Sequence, residues 1–186
     1  MIKSKQDYLY YLEADRKALQ IKKTLNNLIY HEVWKFQRLL RKAEYYHNCN
    51  KPKLAKTCVF LRFRRMGTKL GFTIPPNAFG PGLAIAHKGT IVVNGTARIG
   101  KNCRLHVCVS IGTQAGKDAS APVVGDNCYI GPGVKMFGKI VIGDNMAIGA
   151  NAVVNKSFPE GNATIAGAPA KIISNKSSEG LLVKGC

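Results

Sequence analysis

The chain has 186 residues, 46% of them hydrophobic, and 28 Lys and Arg against 10 Asp and Glu, a formal charge of +18. That length suits one domain with a modest appendage, and no apolar run reaches the roughly eighteen residues of a membrane span. The six cysteines contain no C-x-x-C pair, which disfavours a zinc site and favours reduced thiols.

The N-terminus, MIKSKQDYLYYLEADRK, lacks an apolar signal core, so a cytoplasmic protein is expected. Apolar residues at three- and four-residue steps predict helices over residues 6–24, 27–47 and 53–70, with Asn26 and Asn27 breaking the first run. Residues 1–72 hold 17 Lys or Arg against 5 Asp or Glu. An excess of this kind favours anionic partners. The plain expectation is a helical cap over the open end of the next segment or a packing face for a partner subunit. The sharper one is peripheral contact with an anionic membrane, at its inner face, or with a lipid-linked phosphate. No nucleic-acid motif accompanies the charge, so nucleic acid is not expected.

From Gly71 the pattern changes. Val124, Ile130, Met136, Ile142, Ile148 and Val154 are spaced by six, five times running. Gly follows at Gly125, Gly131, Gly143 and Gly149, and a small or apolar residue sits two before, as at Cys128, Val134, Ile140, Met146 and Ala152. The series runs back through Ile111, Leu105 and Ile99, slips by two, and continues through Ile91 and Ile85. About seven residues loop out between Ile111 and Val124, within Thr113 to Ala121. Period six fits neither an amphipathic helix nor a lone strand, and fixed self-similarity marks a repeat. Three hexapeptides give a three-sided coil of about eighteen residues. Apolar residues point inward, and Gly or Asn takes the backbone angle of the corner. Cys103 and Cys128 fall in the small inward slot and are expected to be packing residues.

This run resembles the left-handed parallel β-helix of the hexapeptide acyltransferases. The stretch from about Gly71 to Lys171 most resembles serine O-acetyltransferases and the related O-acetyltransferases of surface-polysaccharide gene clusters. The expected organisation is a helical region at 1–70, a mainly β acetyltransferase domain at 71–173 and a loose tail at 174–186. The resemblance implies acetyl-CoA as co-substrate, no metal, and a trimer with active sites between subunits, with pairing of trimers through the N-terminal helices as a further option.

The resemblance also assigns residues. His87 stands where these enzymes carry their catalytic His, and Asn94 or a backbone carbonyl is the candidate to orient its imidazole. Gly112, Thr113 and Lys117 resemble the loop beside the acetyl and pantetheine arm. Gly131, Ala150 and the run from Ala166 through Ala168 to Lys171 match the small-residue track of the pantetheine, with Lys156 and Lys171 suited to phosphates. A base that takes the proton of an attacking alcohol typically contributes 10² to 10⁴-fold. Cys108 with His106 nearby offers an acyl-enzyme route that this scheme does not need.

Departures bear on the acceptor. The family pattern G-x-D-I-H-P reads Gly71-Phe72-Thr73-Ile74-Pro75-Pro76 here, Ala86 replaces the acid before His87, and Ala121 stands at the family's second His. A free amino acid brings two charges that seek charged partners. The expectation is therefore a sugar hydroxyl, such as that of a surface-polysaccharide intermediate, with L-serine as the alternative. A non-catalytic scaffold on the same fold is the third reading. A zinc hydratase needs three His ligands, and only His87 and His106 lie beyond Gly71.

Overall fold

The computed structural model describes residues 1–116 and 119–186. Helices α1 (Lys5–Ala18), α2 (Leu25–Tyr30), α3 (Glu32–Asn48) and α4 (Lys53–Leu70) come first, and the strands are short, two to four residues each. Two helix boundaries differ from expectation. The first run stops at Ala18, and Gln20 turns into the left-handed region at φ 58. Asn26 and Asn27 lie inside α2, because the Thr24 hydroxyl caps that helix by accepting from the Asn27 N–H at 3.3 Å. His31 then starts α3, its Nδ1 accepting from the Trp34 N–H at 3.2 Å.

Beyond α4 the chain winds into a prism with three parallel faces. The first stacks Phe72–Thr73, Ile91–Val93, Val109–Gly112, Lys135–Phe137 and Val153–Val154. The second stacks Arg98–Ile99, Val123–Val124 and Val141–Ile142. The third stacks Ala84–Ile85, Arg104–Leu105, Tyr129–Ile130, Ala147–Ile148 and Thr164–Ala166, and Lys171–Ser174 closes it antiparallel. Ile91 pairs with Val109 and Val124 with Ile142, one eighteen-residue coil apart. Ile85 pairs with Leu105, which is the two-residue slip, and Ile111 with Met136, which is the seven-residue insertion. The inward ladder from Ile85 to Ile165 is buried, as are Cys103 and Cys128. Burial pushes the Cys128 thiol up to about 12 and the Cys103 thiol well above its usual value. Both are inert packing groups.

Of the two residue types expected to take the corner angle, one column of corners uses Asn. Gly125 and Gly143 do not carry the left-handed backbone angle; Asn102, Asn127, Asn145 and Asn162 do, with φ between 52 and 57. Their side chains form a ladder in which each amide donates to the next, at 2.9, 3.0 and 2.9 Å. The glycines serve close approach instead: a Cβ at Gly125 would meet Asp144 Oδ1 at 2.2 Å. Residues 174–186, expected as a loose tail, run back along this ladder. The Asn102 amide donates to the Cys186 carbonyl at 2.7 Å, and its oxygen accepts from the Gly185 N–H at 2.9 Å.

The helices close the open end of the first coil. Phe36 sits 5.4 Å from Phe63 and 4.9 Å from Phe72, so one apolar cluster runs from α3 and α4 into the prism. A buried ion triad fixes the joint. Arg41 Nε donates to Asp15 at 2.8 Å, Arg41 Nη1 to Glu44 at 3.0 Å and to the Phe79 carbonyl at 2.9 Å. Asp15 accepts in turn from the Gly82 and Leu83 N–H groups, both at 2.9 Å. With every donor and acceptor matched, the charges are compensated without water. No helix is long and apolar enough to cross a membrane among the described residues.

Candidate active site

The third face leads, in each coil, into a corner before the first face. Five coils pass through it, and the column they build has two histidines at its head and small residues below: His87, then His106 and Val107, then Gly131 and Pro132, then Gly149 and Ala150, then Ala166 to Ala170. The register is held by backbone bonds from the Ala86, His106, Gly131 and Gly149 N–H groups to the carbonyls of Leu105, Ile130, Ile148 and Ile165. His87 therefore heads a track that contains Gly131, Ala150, Ala168 and Lys171. Ala168 and Lys171 are exposed, and Ala150 is too. Gly131 is small by necessity, because a Cβ there would meet the Ile148 carbonyl at 2.7 Å.

His87 is exposed and its ring centroid lies 6.2 Å from that of His106, which in turn sits 5.0 Å from Tyr129. Arg104 Nε points at His106 Nε2 across a long 3.4 Å contact. Burial, then the Arg104 charge and His87, hold the His106 imidazolium below its usual pKa range. In that neutral ring Nε2 accepts, so Nδ1 carries the proton and is a donor. In the sequence His106 enters as a neighbour of Cys108 and, with His87, as one of too few zinc ligands. The signal for its closeness to His87 is the coil length: the two are nineteen residues apart, one short of the twenty-residue turn that carries the slip and pairs Ile85 with Leu105.

The remaining candidates collect elsewhere. Asn94, Gly112, Thr113 and Lys156 lie along the next corner, between the first and second faces. Asn94 does not reach His87: its Oδ1 accepts from the Thr96 N–H at 2.9 Å and hydroxyl at 2.8 Å, a local turn. Gly112 is open, with nothing within 4 Å of an added Cβ, and Lys156 lies 5.4 Å over the Phe158 ring. Lys117 lies outside the described residues. One chain thus splits the candidates between two corners. No group of three or more His, Cys, Asp or Glu could hold a metal among the described residues.

No family model matches the chain. Curated relatives do. It is 33% identical over 162 residues to a serine acetyltransferase of Staphylococcus aureus, covering 86% of this chain and 71% of that protein. The chain belongs to the serine acetyltransferase family. A serine acetyltransferase of Helicobacter pylori is 39% identical over 106 residues, 56% of this chain and 61% of that relative. This serine acetyltransferase homologue thus spans about three-fifths of the first curated relatives it matches. The solved serine acetyltransferase of Neisseria gonorrhoeae in complex with serine superposes with a TM-score of 0.74 at 26% identity, covering 92% of this chain and 71% of that one. The left-handed parallel β-helix with an N-terminal helical region, implied by the family resemblance, is borne out.

Proposed function

We propose that the protein transfers the acetyl group of acetyl-CoA to the hydroxyl of L-serine. The observation that carries this is the corner column, in which His87 heads a track of small residues ending at Lys171, in a chain whose relatives are serine acetyltransferases. The imidazole of His87 accepts the hydroxyl proton while the oxygen attacks the thioester carbonyl. Backbone N–H groups of the corners face the resulting oxyanion. The tetrahedral adduct collapses, the C–S bond breaks, and CoA leaves with the proton held by His87. Gly131, Ala150 and Ala168 leave room for the pantetheine arm, and Lys171 and Lys156 offer cations to the phosphates. In this reading residues 1–70 brace the site, residues 71–173 carry the reaction and residues 174–186 tie the corner ladder.

The assembly follows from the split between corners. A site that uses His87 together with Gly112 and Thr113 takes them from two copies, so three subunits around an axis supply three sites. Val92, Val123 and Val141 are exposed on the prism faces and available to such contacts.

The sugar acceptor expected from Thr73, Ala86 and Ala121 gains no support from the relatives described above, which are named for serine. Arg104, on the outer surface of the third face beside His106, supplies a cation for the serine carboxylate, where Ala121 stands in place of the family's second His; Thr73 and Ala86, which stand in place of acids, bear on the ammonium instead. Contact of the basic helical region with an anionic inner leaflet would be compatible with either acceptor. The test is CoA release with L-serine against release with candidate sugars. Efficient turnover of sugars with none of L-serine would return the acceptor to the sugar class.

A further inference from the structure

A groove of about 940 Å³ runs between α1, α3 and α4 on the face of α3 turned away from the prism. Leu12, Leu39 and Met66 give it an apolar floor. Lys35, Arg38, Lys42, Arg62, Arg65 and Lys69 line it, and no carboxylate does. The helical spacing explains the stripe: positions 35, 38 and 42 share one face of α3, and 62, 65 and 69 one face of α4. Among the described residues only Lys69 of these is paired with an acid, Glu32 at 2.6 Å. Arg38 Nε is buried with no hydrogen-bond partner.

Beside the groove stands α2, joined to it where Arg38 Nη2 donates to the Leu28 carbonyl at 2.6 Å. None of its residues is buried, and Leu25, Leu28, Ile29 and Tyr30 are 69%, 44%, 49% and 73% exposed. Lys22 and Lys23 precede it. Cations without counter-ions call for an anion. An apolar floor and a protruding apolar turn call for a hydrocarbon phase next to that anion. A second copy of the chain fits poorly, because it would present the same positive face. Of the five acids in residues 1–72, Glu13, Asp15, Glu32 and Glu44 are already held in ion pairs.

We propose that the groove and α2 form a docking face for a membrane leaflet containing acidic phospholipids. The groove cations take lipid phosphates, and the apolar side chains of α2 enter the boundary between headgroups and acyl chains. This names the surface behind the membrane contact included in the proposed function. The vesicle readout involves no turnover, so its failure and failure of the acetyl transfer are separate results.

The experiment is co-sedimentation of the full chain with phosphatidylcholine vesicles and with phosphatidylcholine–phosphatidylglycerol vesicles. Binding to the acidic vesicles alone is expected. Lys35→Gln, Arg62→Gln and Arg65→Gln together should weaken it on the order of a hundredfold, about fivefold per cation. Leu28→Ser with Ile29→Ser should weaken it at least about tenfold. All five residues are exposed, and an unchanged far-UV circular dichroism spectrum and unfolding midpoint show that the variants fold. Equal binding to both vesicle types overturns the proposal, as does a triple variant that binds like the parent. Binding of inorganic pyrophosphate without vesicle binding assigns the groove to a soluble anion and also overturns it. So does a triple variant that changes oligomeric state in a protein that ignores vesicles.

Discussion

The side-chain amide of Gln37 stands in for a missing strand at Ile85. It donates to the Leu83 carbonyl at 2.7 Å and its oxygen accepts from the Ile85 N–H at 3.2 Å, all within a fully buried joint. Ala84–Ile85 is the last strand of the third face, so one edge has no coil beyond it. A helix side chain supplies both rungs there, two residues before His87. Gln37→Ala would leave a buried donor and a buried acceptor unmatched. Each costs about 1–3 kcal/mol, and a total loss of about 2–5 kcal/mol is expected in urea unfolding. Turnover should fall with it while acetyl-CoA affinity holds, since the strand that aims His87 loosens. A variant as stable and as active as the parent would show that the rungs are dispensable.

His87→Ala should reduce turnover by about 10² to 10⁴-fold and leave the acetyl-CoA dissociation constant nearly unchanged, because the base acts on the alcohol. Steady-state rates and equilibrium binding of CoA separate the two effects. Near-parental turnover would remove His87 from the chemistry.

The fold was legible because each inward residue of the prism obeys one rule, apolar every sixth position, and the rule survives a slip and an insertion. The corner residues were legible only in part. Asn102, Asn127, Asn145 and Asn162 carry the bend, whereas the more conspicuous glycines answer to contacts from the next coil that no local pattern displays. Within one chain Asn94 does not meet His87: it lies on the next corner, and its short polar side chain is held by its own turn at Thr96. The closeness of His106 to His87 was missed because the two-residue slip sets His106 beside Ala86, one position short of His87. The helix boundaries failed at Thr24 and His31, where single caps redirect the chain.

The His106 environment sets a pH dependence. Its folded pKa is lowered, with burial the first cause and the charges of Arg104 and His87 next; Tyr129 packs on the same ring. An unfolded His titrates near 6.5. The unfolded chain therefore takes up the proton first, so stability is full above about pH 6.5 and is lost as pH falls through the folded value. Urea unfolding at pH 7.5 and 5.5 should show a larger acid loss for the parent than for His106→Gln. Equal losses in the two proteins would place the pH sensitivity elsewhere.

Assembly is checked by static light scattering at micromolar concentration. A mass of three times the 20.2 kDa chain is expected, or six times if the helices pair two trimers. Since His87 and Thr113 lie on different corners of one prism, a monomer would leave the proposed site incomplete. A monomer that nevertheless turns over would refute a site shared between copies.

Arg104 carries the last prediction. It lies in register between Ala84 and Tyr129, on the outer surface of the third face, with His106 two residues on. Ala86, where the family pattern has an acid, stands in the coil before it. A hydrogen bond to a charged group contributes about 1.5–3 kcal/mol, so Arg104→Ala should raise KM for L-serine by about ten- to a hundredfold. KM for acetyl-CoA should hardly move. L-serinamide, which keeps the hydroxyl and lacks the carboxylate, separates this role from a packing role: parent and variant should use it equally well. If the variant loses serinamide and serine in the same proportion, Arg104 supports the His106 ring rather than the acceptor. If neither changes, the carboxylate is bound elsewhere, and a residue of the neighbouring subunit becomes the candidate to replace what Thr73, Ala86 and Ala121 lack.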